Sequence, residues 1–238
     1  MTRERKNIEK AIFDFRSKQL DVPMYIGSEK IYTSTKISIS PPHDHEHILG
    51  YFNEGDGSHV SRAINEALAI KQQWASTSLK QRSEIFLKTA DLIAGKYRAQ
   101  LNAATMLGQS KNAYQAEIDA ACEMIDFLRF NVYYLNQIEA IQPTSPNGIK
   151  NKLEYRPLEG FIFALTPFNF TAIAGNLPAA PAMAGNTVVW KPAYTQIFSA
   201  QLLMEIFLEA GLPKGVINLI YVDGPLACLL YTSDAADE

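Results

Sequence analysis

Apolar positions between Lys6 and Ser17 recur at helical spacing, with Ile8, Ile12 and Phe15 on one side. The pattern ends before Val22-Pro23, where the coming proline disfavours helix. From Met24 to Ser40 the period shortens. Met24 to Ile26 and Lys30 to Thr33 read as strands about a Gly27-Ser28 turn, and Lys36 to Ser40 alternates. Helical spacing returns at Ser58, with Val60, Ile64, Ala67 and Trp74 near one face. Ser78, with Gln81 three residues on, opens a further helix as a capping box and carries it to about Gly95. The spacing then predicts helices over about Ala99 to Leu107 and Tyr114 to Ile141, the latter stopped by Pro143 and Pro146.

Beyond Gly148 the chain turns to β and then to α/β character. Lys150 to Tyr155 alternates. Gly160 to Leu165 is a nearly continuous apolar run of the kind buried in a parallel sheet, and Asn186 to Trp190 and Val216 to Tyr221 read as further strands. Between them lie a small-residue helix from Thr171 to Met183, irregularised by Pro178 and Pro181, and a helix from Thr195 to Ala210 closed by Gly211. No internal repeat interrupts this order.

At 238 residues with 47% hydrophobic side chains, the chain can bury a sizeable core. Its 22 basic and 25 acidic residues leave a formal charge of -3, which supplies no broad field for nucleic acid or an anionic membrane and favours small-molecule chemistry. No window approaches the roughly 18 apolar residues of a membrane span. Cys122 and Cys228 are far apart among apolar or small neighbours, unlike a disulfide framework or a zinc site. With a charged, helix-like start, this reads as a cytoplasmic protein, the mitochondrial matrix being the alternative.

Candidate chemistry gathers where predicted strands end. Thr166-Pro-Phe-Asn-Phe170 places Asn169 at the carboxyl edge of a parallel sheet, where its amide could donate to an oxyanion or merely cap the next helix. Lys191 closes the following strand, placed for ribose hydroxyls or phosphate, or simply solvated before a helix. No GxGxxG or Walker loop is present, since Gly55-Asp56-Gly57 lacks the third glycine. His43-Asp-His-Glu-His47 offers metal-ligand types but follows Pro41-Pro42 in what reads as a solvated turn. Cys122, beside Ala121 and Ile125 with no basic residue near it in sequence, reads as core. Its neighbour Glu123, taken alone, is a surface carboxylate.

Thr166 to Asn176, Gly185 to Pro192 and Glu209-Ala-Gly-Leu-Pro213 together resemble the aldehyde dehydrogenase superfamily. Pro167-Phe-Asn-Phe-Thr-Ala172 and Glu117 to Asn131 resemble its pyrroline-5-carboxylate (glutamate-semialdehyde) branch, and the resemblance covers about residues 20 to 227. It implies an α/β fold: the N-terminal part of an aldehyde dehydrogenase, a helical segment plus an incomplete Rossmann-like parallel sheet. Residues 1–147 would be the strands and helices of the cofactor-binding domain, 148–158 an oligomerisation arm, and 159–227 the first part of the NAD-binding sheet.

By the same resemblance Asn169 is the oxyanion donor, Thr166 lies against NAD through its backbone, and Lys191 binds the adenosine ribose. Phe170 is an aromatic wall of the aldehyde channel, and Glu123 lies near the substrate ammonium. Ala193 departs from the serine of relatives, a mild change in the cofactor pocket. The implied activity of the parent is NAD-dependent oxidation of L-glutamate γ-semialdehyde to L-glutamate in proline catabolism, by a homo-oligomer. The family's cysteine nucleophile, glutamate base and Gly-Ser phosphate turn come later in its chain and match nothing here, so the chain alone is expected to be inactive. The alternative is a short protein that only binds nucleotide or pairs with full-length subunits. Residues 228–238 break from the family pattern and can be read as a translated sequencing adapter, outside the fold.

Overall fold

The computed structural model describes residues 2–232. Helix α1 (Arg3–Arg16) starts at Thr2, whose hydroxyl accepts from the Arg5 amide and so satisfies one of the unpaired donors at the helix start. β1 (Leu20–Val22) pairs in parallel with β5 (Gly50–Asn53), which pairs antiparallel with β4 (Lys36–Ile39), giving a three-stranded sheet. β2 (Met24–Ile26) and β3 (Glu29–Ile31) form the hairpin predicted about Gly27, which takes a φ of +56° that a β-carbon would strain. β1 and β5, at three and four residues, are too short to show a period in sequence.

Four of the predicted helical segments appear, some with clear local causes. α2 (Gly57–Ser76) is capped by Asp56. α3 (Leu79–Ala94) carries both halves of the Ser78/Gln81 box, and its end is at Gly95. α4 spans Arg98–Gln109. The long helix expected from Tyr114 differs in one respect: α5 (Ala113–Ala116) and α6 (Glu123–Ala140) are joined by a six-residue π-turn, Glu117–Cys122. Such a turn leaves one extra residue in the helical path, often at a functional site.

The second sheet has the order β3-β2-β8-β7-β6. β6 (Ile162–Thr166), β7 (Val188–Pro192) and β8 (Ile217–Leu219) run parallel, and β2 joins β8 antiparallel. α7 (Thr171–Met183) connects β6 to β7; a 3-10 turn at Tyr194–Gln196 and α8 (Ile197–Ala210) connect β7 to β8. α8 closes at Gly211, φ +108°, as expected. α7 remains one helix across Pro178 and Pro181, and its last turn is pinned from outside: Trp74 Nε1 donates to the Ala182 carbonyl at 2.8 Å and Arg82 Nε to the Met183 carbonyl at 2.9 Å.

Two β expectations are corrected. The run from Gly160 to Leu165, read as a buried strand, lies at the edge of its sheet, and Leu165 is 49% exposed. Lys150 to Tyr155 forms no strand. Its alternating side chains lie in an exposed loop with no ladder partner, closed by side-chain bonds between Gln142 and Leu153 and between Ser145 and Asn151. Gly224–Thr232 form α9, so the stretch from Cys228 expected to lie outside the fold begins inside a helix; residues 233–238 lie outside the described residues.

A β-carbon at Gly50 would lie 2.2 Å from the Leu20 carbonyl oxygen, a backbone atom fixed in the β1–β5 ladder. Gly50→Ala should therefore cost about 1–3 kcal/mol as an overpacking change, read as a lower denaturation midpoint. Phe130, Tyr133, Tyr134 and Ile138 on α6 stand exposed, as does Phe168 beyond β6. Expressed alone, the chain should self-associate through these apolar side chains; a monodisperse monomer in light scattering would show that they are tolerated in water.

Candidate active site

β6 and β7 end together at the carboxyl edge of the parallel strands, with Thr166 beside Pro192 in register. The Thr166 hydroxyl accepts from Trp190 Nε1 at 2.9 Å and its carbonyl from the Ala193 amide at 3.2 Å, so this strand end is tied to the next. Lys191 is 7% exposed, which sets aside the solvated-lysine alternative. Its ammonium has one carbonyl within reach, that of Pro192 at 3.5 Å, and lies 5.2 Å from the centre of the Tyr194 ring. Burial holds its pKa below the ordinary lysine value, opposed by the charge of Asp223.

Asn169 is exposed just before α7, and its amide has no hydrogen-bond partner among the described residues. The N-cap of α7 is Phe170, without a side-chain cap bond, so the capping alternative for Asn169 is not what forms. The helix start is held instead through Thr171. Its hydroxyl is met by Thr105 at 2.8 Å, Gln109 Nε2 at 2.7 Å, Gln196 Nε2 at 3.1 Å and Ser199 at 3.2 Å.

The π-turn sorts the acidic side chains that follow α5. Glu117 accepts from Arg98 and Asn102; burial works against its charge, but these partners together hold its pKa below the ordinary value. Asp119 pairs with Lys111, whose ammonium also sits 4.2 Å from the Phe170 ring centre. Glu123, half-buried, has no hydrogen bond or ion pair among the described residues. Burial and the charge of Asp119 raise its pKa, while Lys111 acts the other way. Phe170 and Glu123 are thus linked through Lys111 and Asp119, which sequence reasoning missed; the visible signal was the four-residue spacing of Asp119 and Glu123.

Cys122 is corrected. It is half-buried rather than core, because the π-turn brings Arg98 Nη2 to 3.5 Å and Glu117 Oε1 to 3.6 Å from its sulfur. Burial and Glu117 nonetheless push the thiol up. The histidine run forms consecutive turns tied to its surroundings, Asp44 to Arg16 at 2.6 Å and His43 to Ser110 at 2.8 Å. A cavity of about 820 Å³ opens between α1, α4 and α5 and includes Arg98 and Glu117, but not Asn169, Phe170, Lys191 or Glu123.

The aldehyde dehydrogenase family pattern matches residues 31–232. The chain belongs to this family. The match runs past Ala227, where the sequence resemblance appeared to end. The delta-1-pyrroline-5-carboxylate dehydrogenase of Agaricus bisporus is 48% identical over 219 residues, 91% of this chain and 40% of that protein. The human mitochondrial enzyme of the same name is 43% identical over 94% of this chain and 40% of its own length. The NAD-bound crystal structure of the Mycobacterium tuberculosis enzyme, at 44% identity, superposes with a TM-score of 0.95 over 98% of this chain and 44% of that one. This aldehyde dehydrogenase chain therefore spans about 40% of the length of the curated relatives it matches. Among its described residues no helix is long and apolar enough to cross a membrane.

A thiol pushed up by burial and Glu117 carries less thiolate near neutrality. Cys122 should be alkylated by iodoacetamide more slowly than a free cysteine at about pH 7.5, and Glu117→Gln should speed that labelling, followed by peptide mass spectrometry. Equal rates in both proteins would remove the role of Glu117.

Proposed function

We propose that the full-length protein carrying this chain oxidises L-glutamate γ-semialdehyde, the open form of pyrroline-5-carboxylate, to L-glutamate with NAD. The observation that carries the reading is Glu123: a half-buried carboxylate with no hydrogen bond or ion pair among the described residues, acted on by the charge of Asp119, whose partner Lys111 meets the Phe170 ring. A carboxylate withdrawn from water and left unpaired suits a cationic ligand group, and this substrate carries an ammonium. The relatives named delta-1-pyrroline-5-carboxylate dehydrogenase, at 43–48% identity, support the same assignment.

The residues present fit a dinucleotide. Lys191 is buried with one distant carbonyl for its three protons, so donors remain for ribose hydroxyls at the edge where α/β sheets bind ligands. Thr166, tied to Trp190 and Ala193, would form a fixed backbone wall beside it. Bound NAD supplies the two-electron acceptor for the oxidation. Asn169, with its amide uncommitted before α7, would donate to the aldehyde oxygen as negative charge builds there, supported by the helix start. Glu123 holds the ammonium and Phe170 flanks the carbon chain.

We infer that the attacking cysteine and the base that activates water come from the remainder of the full-length protein, since Cys122 is held as a thiol by Glu117 and burial. Residues 148–158, exposed with apolar Ile149, Leu153, Tyr155 and Leu158, suit an oligomerisation arm of a homo-oligomer. The cytoplasm is the proposed compartment, with the mitochondrial matrix as the alternative because several relatives are named mitochondrial.

The test is NADH formation by the full-length protein from pyrroline-5-carboxylate against pentanal, an uncharged aldehyde of equal carbon number. The semialdehyde should be preferred, and equal specificity constants would overturn the assignment. Asn169→Ala should lower kcat by about 10²–10³ with a smaller change in KM, the size of a lost oxyanion donor; an unchanged kcat would remove that role.

A further inference from the structure

Lys111 enters from the connection between α4 and α5, and no motif marks it. Its ion pair with Asp119 is only 15% and 18% exposed on the two side chains, and the same ammonium faces the Phe170 ring. One cation therefore touches both the aromatic wall and the carboxylate four residues before Glu123. Without it, Asp119 and Glu123 would be like charges, poorly hydrated and close on one helical path, and would compete for a proton or for the same cation.

We propose that Lys111 is a positioning residue of the aldehyde pocket: it occupies Asp119 and backs Phe170, so that Glu123 is the carboxylate presented to the substrate ammonium. This rests on the semialdehyde reading above. Of the charged groups on the surrounding elements, Lys80, Glu84 and Lys88 of α3 are exposed to water, and others are engaged elsewhere. Arg98 of α4 is on Glu117, Asp91 of α3 is paired with Arg129, and Arg82 of α3 is on backbone carbonyls. α7 has no ionisable side chain, and Asp126 on α6 is exposed. Asp119 and Lys111 remain as the charges acting on Glu123.

Removing the cation leaves Asp119 to raise the Glu123 pKa further; removing Asp119 leaves the cation to lower it. The experiment is the pH profile of kcat/KM for the semialdehyde and for pentanal in the full-length enzyme, each variant compared with the unmutated protein so that ring opening of the substrate cancels. With Lys111→Met, the acid limb for the semialdehyde should move up by about one pH unit and KM below that limb should rise by up to about tenfold, with kcat within about threefold. The pentanal limb should stay in place. Asp119→Asn should move the semialdehyde limb down, the Lys111→Met/Asp119→Asn pair should return it close to its starting position, and Lys111→Arg should retain it.

Immobile limbs in Lys111→Met and Asp119→Asn overturn the proposal. So does a parallel loss with both aldehydes that the paired variant does not recover, the pattern of a purely structural lysine. If Lys111→Met does not fold, the downward shift in Asp119→Asn decides alone. An unmutated enzyme with no preference for the semialdehyde removes the functional reading and this proposal with it, whereas a preference with immobile limbs removes only the role of Lys111.

Discussion

All five residues of β7 are buried, including Lys191. A strand with water on neither face needs both of its ladders filled and its side chains covered, because its amides and carbonyls have no other partners. β6 and β8 fill the ladders in parallel, so each connection must cross back along the sheet as a helix, and α7 and α8 do so. α2 and α7 pack against β7. The same constraint catches Lys191. Its side chain is 7% exposed, and the Pro192 carbonyl with the Tyr194 ring is a poor return for a desolvated ammonium. The burial that builds the sheet thus also creates a demand for polar ligand atoms at its carboxyl edge.

α7 links that edge to the reacting end of the proposed site. It is fixed at its start by the hydroxyl cluster around Thr171 and at its end by Trp74 and Arg82, which take up carbonyls that the helix cannot satisfy itself. Asn169 and Phe170 emerge from a helix clamped at both ends, which suits groups that must meet a substrate without first being ordered. Across from them the π-turn does the sorting. Within it Glu117 goes to Arg98 and Asp119 to Lys111, and its one extra residue rotates the side chains that follow, Glu123 first, by about 100° relative to a regular helix.

Much of this was legible in the sequence wherever a local signal decides the structure. The Ser78/Gln81 box, the Gly27 turn, the Gly211 close and the apolar runs at β7 and β8 each state their own conformation, and Thr166-Pro-Phe-Asn-Phe170 announces the family. What stayed hidden depends on partners far along the chain. Leu165 belongs to an apolar run, but only the strand order places it at an edge. Lys150 to Tyr155 alternates like a strand, yet alternation makes no ladder without a neighbour. Cys122 seemed remote from basic groups because Arg98 is distant in sequence and the π-turn, invisible to a 3.6-residue period, brings the two together. Lys111 and Asp119 stayed hidden for the same reason.

The two ends of the proposed pocket carry opposite electrical preferences, and this limits how a substrate can lie in it. At Asn169 the amide and the amino end of α7 favour negative charge; at Glu123 an unpaired carboxylate favours positive charge. Phe170 belongs to both, following Asn169 in the chain and meeting Lys111 in space. An amino-aldehyde with its carbonyl toward Asn169 places the growing oxyanion against donors and its ammonium against Glu123. Turned around, it would set a developing anion against the half-buried Glu123 carboxylate, a mismatch that weighs more there than in water. Orientation then follows from charge placement before any contact with the carbon chain is counted, and it weakens if Asp119 is released to draw the ammonium away. Lys111 would therefore matter through which carboxylate is left free to hold the substrate ammonium.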